Sequence, residues 1–149
     1  MTKIVVLDSG VFDKLFLAER DRDCVIEFLE HAKISGIALI APSLFLYEVL
    51  AVAAPTSFGS DAAYDLIQGF IKAGFRLIEP DSGIVRQAIA ISNAGHPKSG
   101  YPTFYDASYH AAALVFGGVF LTADARHKAK TEGFGSVVLL KDWKTHFLG

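Results

Sequence analysis

Residues 3–7, KIVVL, decide the fold, because this short apolar run of mostly β-branched residues ends at a charged residue, Asp8. The run lacks the alternation of apolar and polar residues that is typical of a strand with one face in water, so we expect a strand buried on both faces. Such strands occur in parallel sheets that are covered by helices on both sides. The stretch therefore predicts the first strand of an α/β domain.

Four further apolar runs of strand length follow, at residues 38–41, 75–78, 119–122 and 137–140. Segments with helical spacing of apolar residues separate them, at about residues 15–35, 44–53, 60–73, 80–93, 103–116, 124–132 and 142–147. Strands that alternate with helices indicate crossover connections and a parallel sheet. We therefore expect a three-layer α/β/α sandwich with a central parallel sheet of about five strands, in one domain that spans residues 1–149.

Composition excludes several classes of protein. The 149 residues include 14 basic and 16 acidic side chains, a formal charge of −2, so there is no general basic excess to bind nucleic-acid phosphates. The single cysteine, Cys24, excludes an internal disulfide. The apolar runs at residues 4–7 and 111–121 are too short for a signal-peptide core and a membrane span respectively, which favours a cytoplasmic protein without a membrane partner.

Four carboxylates are the candidate functional groups. Ligands of an open parallel sheet bind beyond the carboxyl ends of its strands. Asp8 and Asp124 follow the first and fourth predicted strands, Asp106 lies in the first turn of the helix that leads into the fourth, and Glu48 lies in an otherwise apolar helix after the second. Each aspartate alone is also explained by helix capping, which Glu48 is not, since it lies inside its helix.

A cluster of these four acids has a chemical consequence. Two like charges about 4 Å apart cost on the order of 4 kcal/mol at an effective dielectric constant near 20, so the cluster requires protons or a cation. Oxygen ligands without histidine or cysteine favour Mg²⁺ or Mn²⁺ over zinc. A hard divalent cation held by carboxylates is typical of enzymes that hydrolyse phosphodiesters.

The segments around the acids resemble four motifs of the PIN-domain ribonucleases and, within them, the VapC-like toxins of toxin–antitoxin pairs. These segments are IVVLDSGVFDKLF (4–16), PSLFLYEVLAV (42–52), PTFYDASYHAAAL (102–114) and VFLTADARHKAK (119–130). The resemblance implies an endoribonuclease whose Asp8, Glu48, Asp106 and Asp124 are catalytic and bind Mg²⁺ or Mn²⁺, with Ser9 and Thr122 supporting them by hydrogen bonds. It also implies an RNA substrate, a cognate antitoxin and a homodimer.

Other activities fit the sequence less well or remain open. A haloacid-dehalogenase-like phosphatase needs an aspartate two residues after Asp8, where the chain has Gly10. No phosphate-binding glycine-rich motif is present. A non-catalytic PIN-like module that binds a protein stays open as the alternative, and the affinity for Mn²⁺ distinguishes it from the nuclease.

Some neighbours of the acids have a structural explanation. His110 is expected to be a surface or partly buried histidine without a partner. Tyr47, Phe104 and Tyr105 are expected to pack rather than to stack on a base. Basic residues lie near the first and fourth motifs. If the four acids are counted with their cation, 12 of the 16 acidic residues remain against 14 basic ones, a scaffold of +2. RNA binding without metal should therefore be weak.

Overall fold

The computed structural model describes residues 3–149 and contains a sheet of five parallel strands in the order β3-β2-β1-β4-β5. The strands are β1 (Ile4–Leu7), β2 (Ala38–Pro42), β3 (Arg76–Ile78), β4 (Val119–Thr122) and β5 (Val137–Leu139). The α-helices are α1 (Ser9–Asp13), α2 (Arg22–Ser35), α3 (Leu44–Ala53), α4 (Ser60–Lys72), α5 (Ser82–Asn93), α6 (Phe104–Phe116), α7 (Ala125–Lys130) and α8 (Trp143–Leu148). Single 3₁₀ turns at Glu132–Phe134 and Leu140–Asp142 flank β5.

Burial along β1 explains why the sheet has helices on both sides. Val5, Val6 and Leu7 are each at most 1% exposed, although neighbouring residues of a strand point to opposite faces. Both faces of the central strand are therefore covered. The predicted α/β class with a three-layer arrangement and about five parallel strands is confirmed.

The helix predicted over residues 15–35 is only partly correct. A short helix, α1, comes directly after Asp8, and α2 does not begin until Arg22. Between them the Lys14 Nζ donates to Glu19 Oε2 at 2.6 Å and lies 3.1 Å from Asp21 Oδ2, which stabilises a turn. These three side chains favour a reversal of the chain over a continuous helix.

The sheet places the candidate residues along one edge. The backbone N–H of Asp8 donates to Leu121 O at 3.1 Å, so the pairing of β1 with β4 continues up to the first acid. β2 leads through Ser43 into α3, and β4 ends at Thr122, two residues before Asp124. The carboxyl ends of three adjacent strands therefore position the first, second and fourth motifs.

None of the helices within residues 3–149 combines the length and apolar character that crossing a membrane requires.

Candidate functional site

Glu48 is held by two hydroxyl groups from different elements. Its Oε1 accepts from Ser9 Oγ at 3.1 Å and from Tyr109 Oη at 2.6 Å. Burial and the bond to Glu48 raise the pKa of the Tyr109 phenol well above its usual value, so this hydroxyl stays protonated and donates. The half-buried glutamate thus links α1, α3 and α6, and its Oε2 has no hydrogen-bond partner among the described residues.

Thr122 connects the first and fourth motifs. Its Oγ1 donates to Asp8 Oδ2 at 2.6 Å and accepts from the backbone N–H of Asp124 at 3.0 Å. Thr122 is fully buried at the end of β4. One hydroxyl therefore fixes the side chain of Asp8 and the backbone of Asp124.

Asp106 and Asp124 occupy the starts of two helices. Asp106 lies in the first turn of α6, half-buried, and the side chain of Thr103 caps that helix by accepting from the Asp106 N–H at 3.1 Å. Asp124 is exposed, and its Oδ1 caps α7 by accepting from the N–H groups of Arg126 and His127 at 2.9 and 3.2 Å. Asp124 therefore caps a helix through Oδ1, and its Oδ2 takes no part in the capping.

The four acids influence one another electrostatically. Burial raises the pKa of Asp8 to about 6, with further contributions from Asp106 and Glu48, while the bond from Thr122 opposes the rise. Burial and the charge of Asp124 raise the pKa of Asp106. Glu48, Asp8, Asp106 and Asp124 therefore form a continuous series along the sheet edge. Within residues 3–149, however, no three acidic, histidine or cysteine side chains converge closely enough to enclose a metal ion.

The chemistry of this edge fits a hard divalent cation. Its donors are carboxylate oxygens, and Glu48 and Asp124 each keep one oxygen without a hydrogen-bond partner among the described residues. Burial, together with the neighbouring acids, raises the pKa of Asp8 and of Asp106, so their ionised forms are unfavourable and a cation would stabilise them.

Sequence reasoning missed Asp13 and Tyr109. Asp13, the last residue of α1, is 5% exposed, and its Oδ1 is buried without a hydrogen-bond partner. Burial raises its pKa to about 7, with contributions from Asp8 and Glu48. Their spacing in the sequence could have identified both residues. Asp13 is four residues after Ser9 and Tyr109 three residues after Asp106, and residues at these separations lie on the same face of a helix.

The expectation for His110 was wrong. His110 is fully buried and has a partner, His127, with His110 Nδ1 3.1 Å from His127 Nε2. Because the oxygen of Gly135 can only accept, His110 Nε2 carries a proton and donates to it at 2.7 Å, which leaves Nδ1 to accept from His127. Burial lowers the pKa of both imidazoles, that of His127 to about 4. This neutral pair joins α6 to α7 and so helps to fix Asp106 relative to Asp124.

Aromatic side chains near the acids are more exposed than expected. Tyr47 is 72% exposed, Tyr105 65% and Phe104 45%, so packing covers these side chains only in part. Phe104 and Tyr105 border an apolar cavity of about 160 Å³ next to Asp106. The site edge therefore offers aromatic surface to a ligand.

Replacing Asp8 with asparagine should stabilise the metal-free protein in a pH-dependent way. Asp8 titrates near pH 4 when unfolded and near 6 when folded, so the native state binds more protons between these values and its ionised carboxylate weakens the fold as the pH rises. In EDTA, the free energy of unfolding of Asp8→Asn relative to the unmodified protein should grow from near zero at pH 4 to about 2–3 kcal/mol at pH 7.

Urea unfolding at several pH values measures this difference. Comparing the two proteins at each pH cancels the histidines, whose lowered pKa values act in the opposite direction. A difference that does not change with pH would show that Asp8 is not destabilised by burial.

Comparison with known proteins agrees with the four motifs. A family model described as the PIN domain matches residues 5–132. No curated protein sequence is significantly similar to the chain.

Solved structures share the fold at low sequence identity. FitAcB of Neisseria gonorrhoeae is 14% identical with a TM-score of 0.70, covering 93% of this chain and 98% of that one. DNA-bound VapBC of Salmonella typhimurium is 18% identical with a TM-score of 0.69, covering 94% and 99%. VapC20 of Mycobacterium tuberculosis, described as a toxin that cleaves the sarcin–ricin loop, is 15% identical with a TM-score of 0.62, covering 84% and 93%.

Proposed function

Because the chain belongs to the PIN domain family, we propose that it is a metal-dependent endoribonuclease and the toxin of a toxin–antitoxin pair. The observation that carries the proposal is the continuous series of Glu48, Asp8, Asp106 and Asp124 at the carboxyl edge of the sheet, linked through Ser9, Tyr109 and Thr122. The four acids come from four separate segments of the chain and meet only at this edge.

In this proposal Asp8, Glu48, Asp106 and Asp124 are the residues that would hold Mg²⁺ or Mn²⁺. When bound, the cation supplies a Lewis acid for the scissile phosphate and the attacking water. Ser9 and Tyr109 fix Glu48 through Oε1, which would leave Oε2 free to hold the cation. Thr122 keeps Asp8 in one orientation, which limits the reorganisation that binding requires.

The surface around the acids supports a single-stranded or looped RNA substrate. Tyr47 and Tyr105 expose aromatic rings on which unpaired bases can stack. Arg126 and Lys128 are exposed on α7 beside Asp124, where they can contact phosphates. The sarcin–ricin loop that the Mycobacterium tuberculosis toxin cleaves is consistent with a looped substrate.

The same proposal includes a cognate antitoxin, a homodimer and action in the cytoplasm, where toxin and RNA meet. Support for the antitoxin comes from a similar structure that is a toxin–antitoxin complex of Klebsiella pneumoniae. An antitoxin arginine would suit the acidic edge, because its guanidinium pairs with carboxylates. The partly exposed Val85 and Ile89, one turn apart on α5, are apolar surface that a second copy would cover.

Two measurements on the purified protein test the nuclease. Calorimetric titration with Mn²⁺ should show binding in the micromolar to millimolar range, and incubation with a stem–loop RNA should give cleavage with Mg²⁺ or Mn²⁺ but not with EDTA. If millimolar Mn²⁺ does not bind, the non-catalytic module becomes the better explanation. Cleavage that persists in EDTA would contradict the metal-dependent mechanism.

A further inference from the structure

A fifth carboxylate lies beside the four acids, on the face of α1 that meets Glu48. Asp13 follows Ser9 by four residues, so their side chains share one face of α1, and Ser9 Oγ donates to Glu48 on that face. α1 packs against α3, the helix that carries Glu48. The backbone geometry therefore places Asp13 one helical turn behind the Ser9–Glu48 contact.

The side chain of Asp13 is not neutralised by its surroundings. It is 5% exposed, and its Oδ1 is fully buried and has no hydrogen-bond donor among the described residues. The adjacent cation, Lys14, is engaged by Glu19 at 2.6 Å and Asp21 at 3.1 Å. An ionised buried carboxylate without a donor or a paired cation is costly, so a positive charge nearby would stabilise the ionised form of Asp13.

We propose that Asp13 strengthens cation binding at the four-acid edge, as a positioning residue that acts through Glu48 and Asp8 without contacting the ion. The inference rests on the proposed function. The negative charge of Asp13 makes the potential at the two acids more negative, which favours the cation-bound state. A bound cation offsets the cost of burying this charge, and the added stabilisation is lost when a neutral apolar or amide group replaces the carboxylate.

Substitution by asparagine separates this role from a purely structural one. The pKa of Asp13 is raised to about 7 by burial and by Asp8 and Glu48, so measurements at pH 8 compare an ionised carboxylate with a neutral amide of the same shape. We expect Asp13→Asn to bind Mn²⁺ about tenfold more weakly, because it lacks a negative charge whose attraction for the divalent ion is only partly screened by water. In EDTA the same variant should have a higher melting temperature, because an unpaired buried charge is gone.

Two further variants complete the experiment. Asp13→Glu keeps the charge and should retain affinity for Mn²⁺ close to that of the unmodified protein. Asp65→Asn makes the same change of net charge at an exposed position of α4 and should leave both the affinity and the melting temperature unchanged. In cleavage assays Asp13→Asn should require about tenfold more Mn²⁺ for half-maximal rate but approach the normal rate at saturation.

The outcomes distinguish this inference from the proposed function. An unchanged Mn²⁺ affinity in Asp13→Asn, or a lower melting temperature in EDTA, overturns the role of Asp13 while leaving the nuclease intact. If Asp13→Glu also loses affinity, shape rather than charge matters at this position, and the inference is wrong. Failure of the unmodified protein to bind Mn²⁺ overturns the proposed function and, with it, the inference.

Discussion

Replacing Asp8 with asparagine is expected to reduce RNA cleavage by about 10²–10³-fold, the scale of loss when a group that stabilises transition-state charge is removed. Asparagine preserves the shape of the side chain, and its carbonyl oxygen can still accept the hydrogen bond that Thr122 donates at 2.6 Å. The substitution therefore removes the charge at the end of β1 without disturbing the strand. The loss is measured as the single-turnover rate of cleavage of a stem–loop RNA at a fixed concentration in Mg²⁺.

Further variants show whether the loss comes from the shared cation. Asp106→Asn should cause a loss of similar size, and the double variant should lose little more than either single variant, because residues that act as one unit are not additive. Asp65→Asn is the matched control and should cleave normally. Retained cleavage by Asp8→Asn in a preparation free of contaminating nuclease would contradict the assignment of the site.

The strand ends could be predicted because they depend on local patterns. The apolar run before Asp8 and the run before Asp124 each fit one strand length, and a parallel sheet aligns their carboxyl ends. Glu48 could be singled out because it is the charged residue of an otherwise apolar helix. In the structure, Ser9 and Tyr109 donate hydrogen bonds to its carboxylate. Sequence patterns therefore located the edge and its acids.

The rest of the site depends on contacts between distant elements. The pairing of His110 with His127 requires the packing of α6 against the segment after β4, which no periodicity encodes. The burial of Asp13 could not be predicted, because it depends on the packing of α1 against α3. The break between α1 and α2 likewise depends on side chains that meet only once Lys14 folds back on Glu19.

Charge distribution refines the expected affinity for RNA. Counting the four acids with their cation leaves a scaffold of only +2, and Lys14, one of its cations, is already paired with Glu19 and Asp21. In the proposed nuclease, phosphate binding should therefore depend on the bound cation and on the exposed basic side chains of α7, and RNA binding without metal is expected to be weak.

Replacing Gly118 with alanine is expected to lower the free energy of unfolding by at least about 3 kcal/mol, the upper range for overpacking in a protein interior. Gly118 lies between the end of α6 and β4, and a Cβ atom there would overlap the carbonyl oxygen and carbon of Ile4 in β1. Because these atoms belong to the backbone of the central strand, they cannot rotate away. Relief would require β1 and β4 to separate.

That separation would also reach the candidate site, since Asp8 directly follows β1 and β4 ends at Thr122, whose Oγ1 donates to Asp8 Oδ2 at 2.6 Å. Urea unfolding of Gly118→Ala should therefore show lower stability, and any folded fraction should bind Mn²⁺ more weakly. Gly69→Ala is the control, because Gly69 lies inside α4 with nothing within 4 Å of an added Cβ, and alanine there should stabilise the helix by about 0.5–1 kcal/mol. Normal stability of Gly118→Ala would mean that β1 and β4 lie farther apart than the pairing of Val5 with Val119 implies.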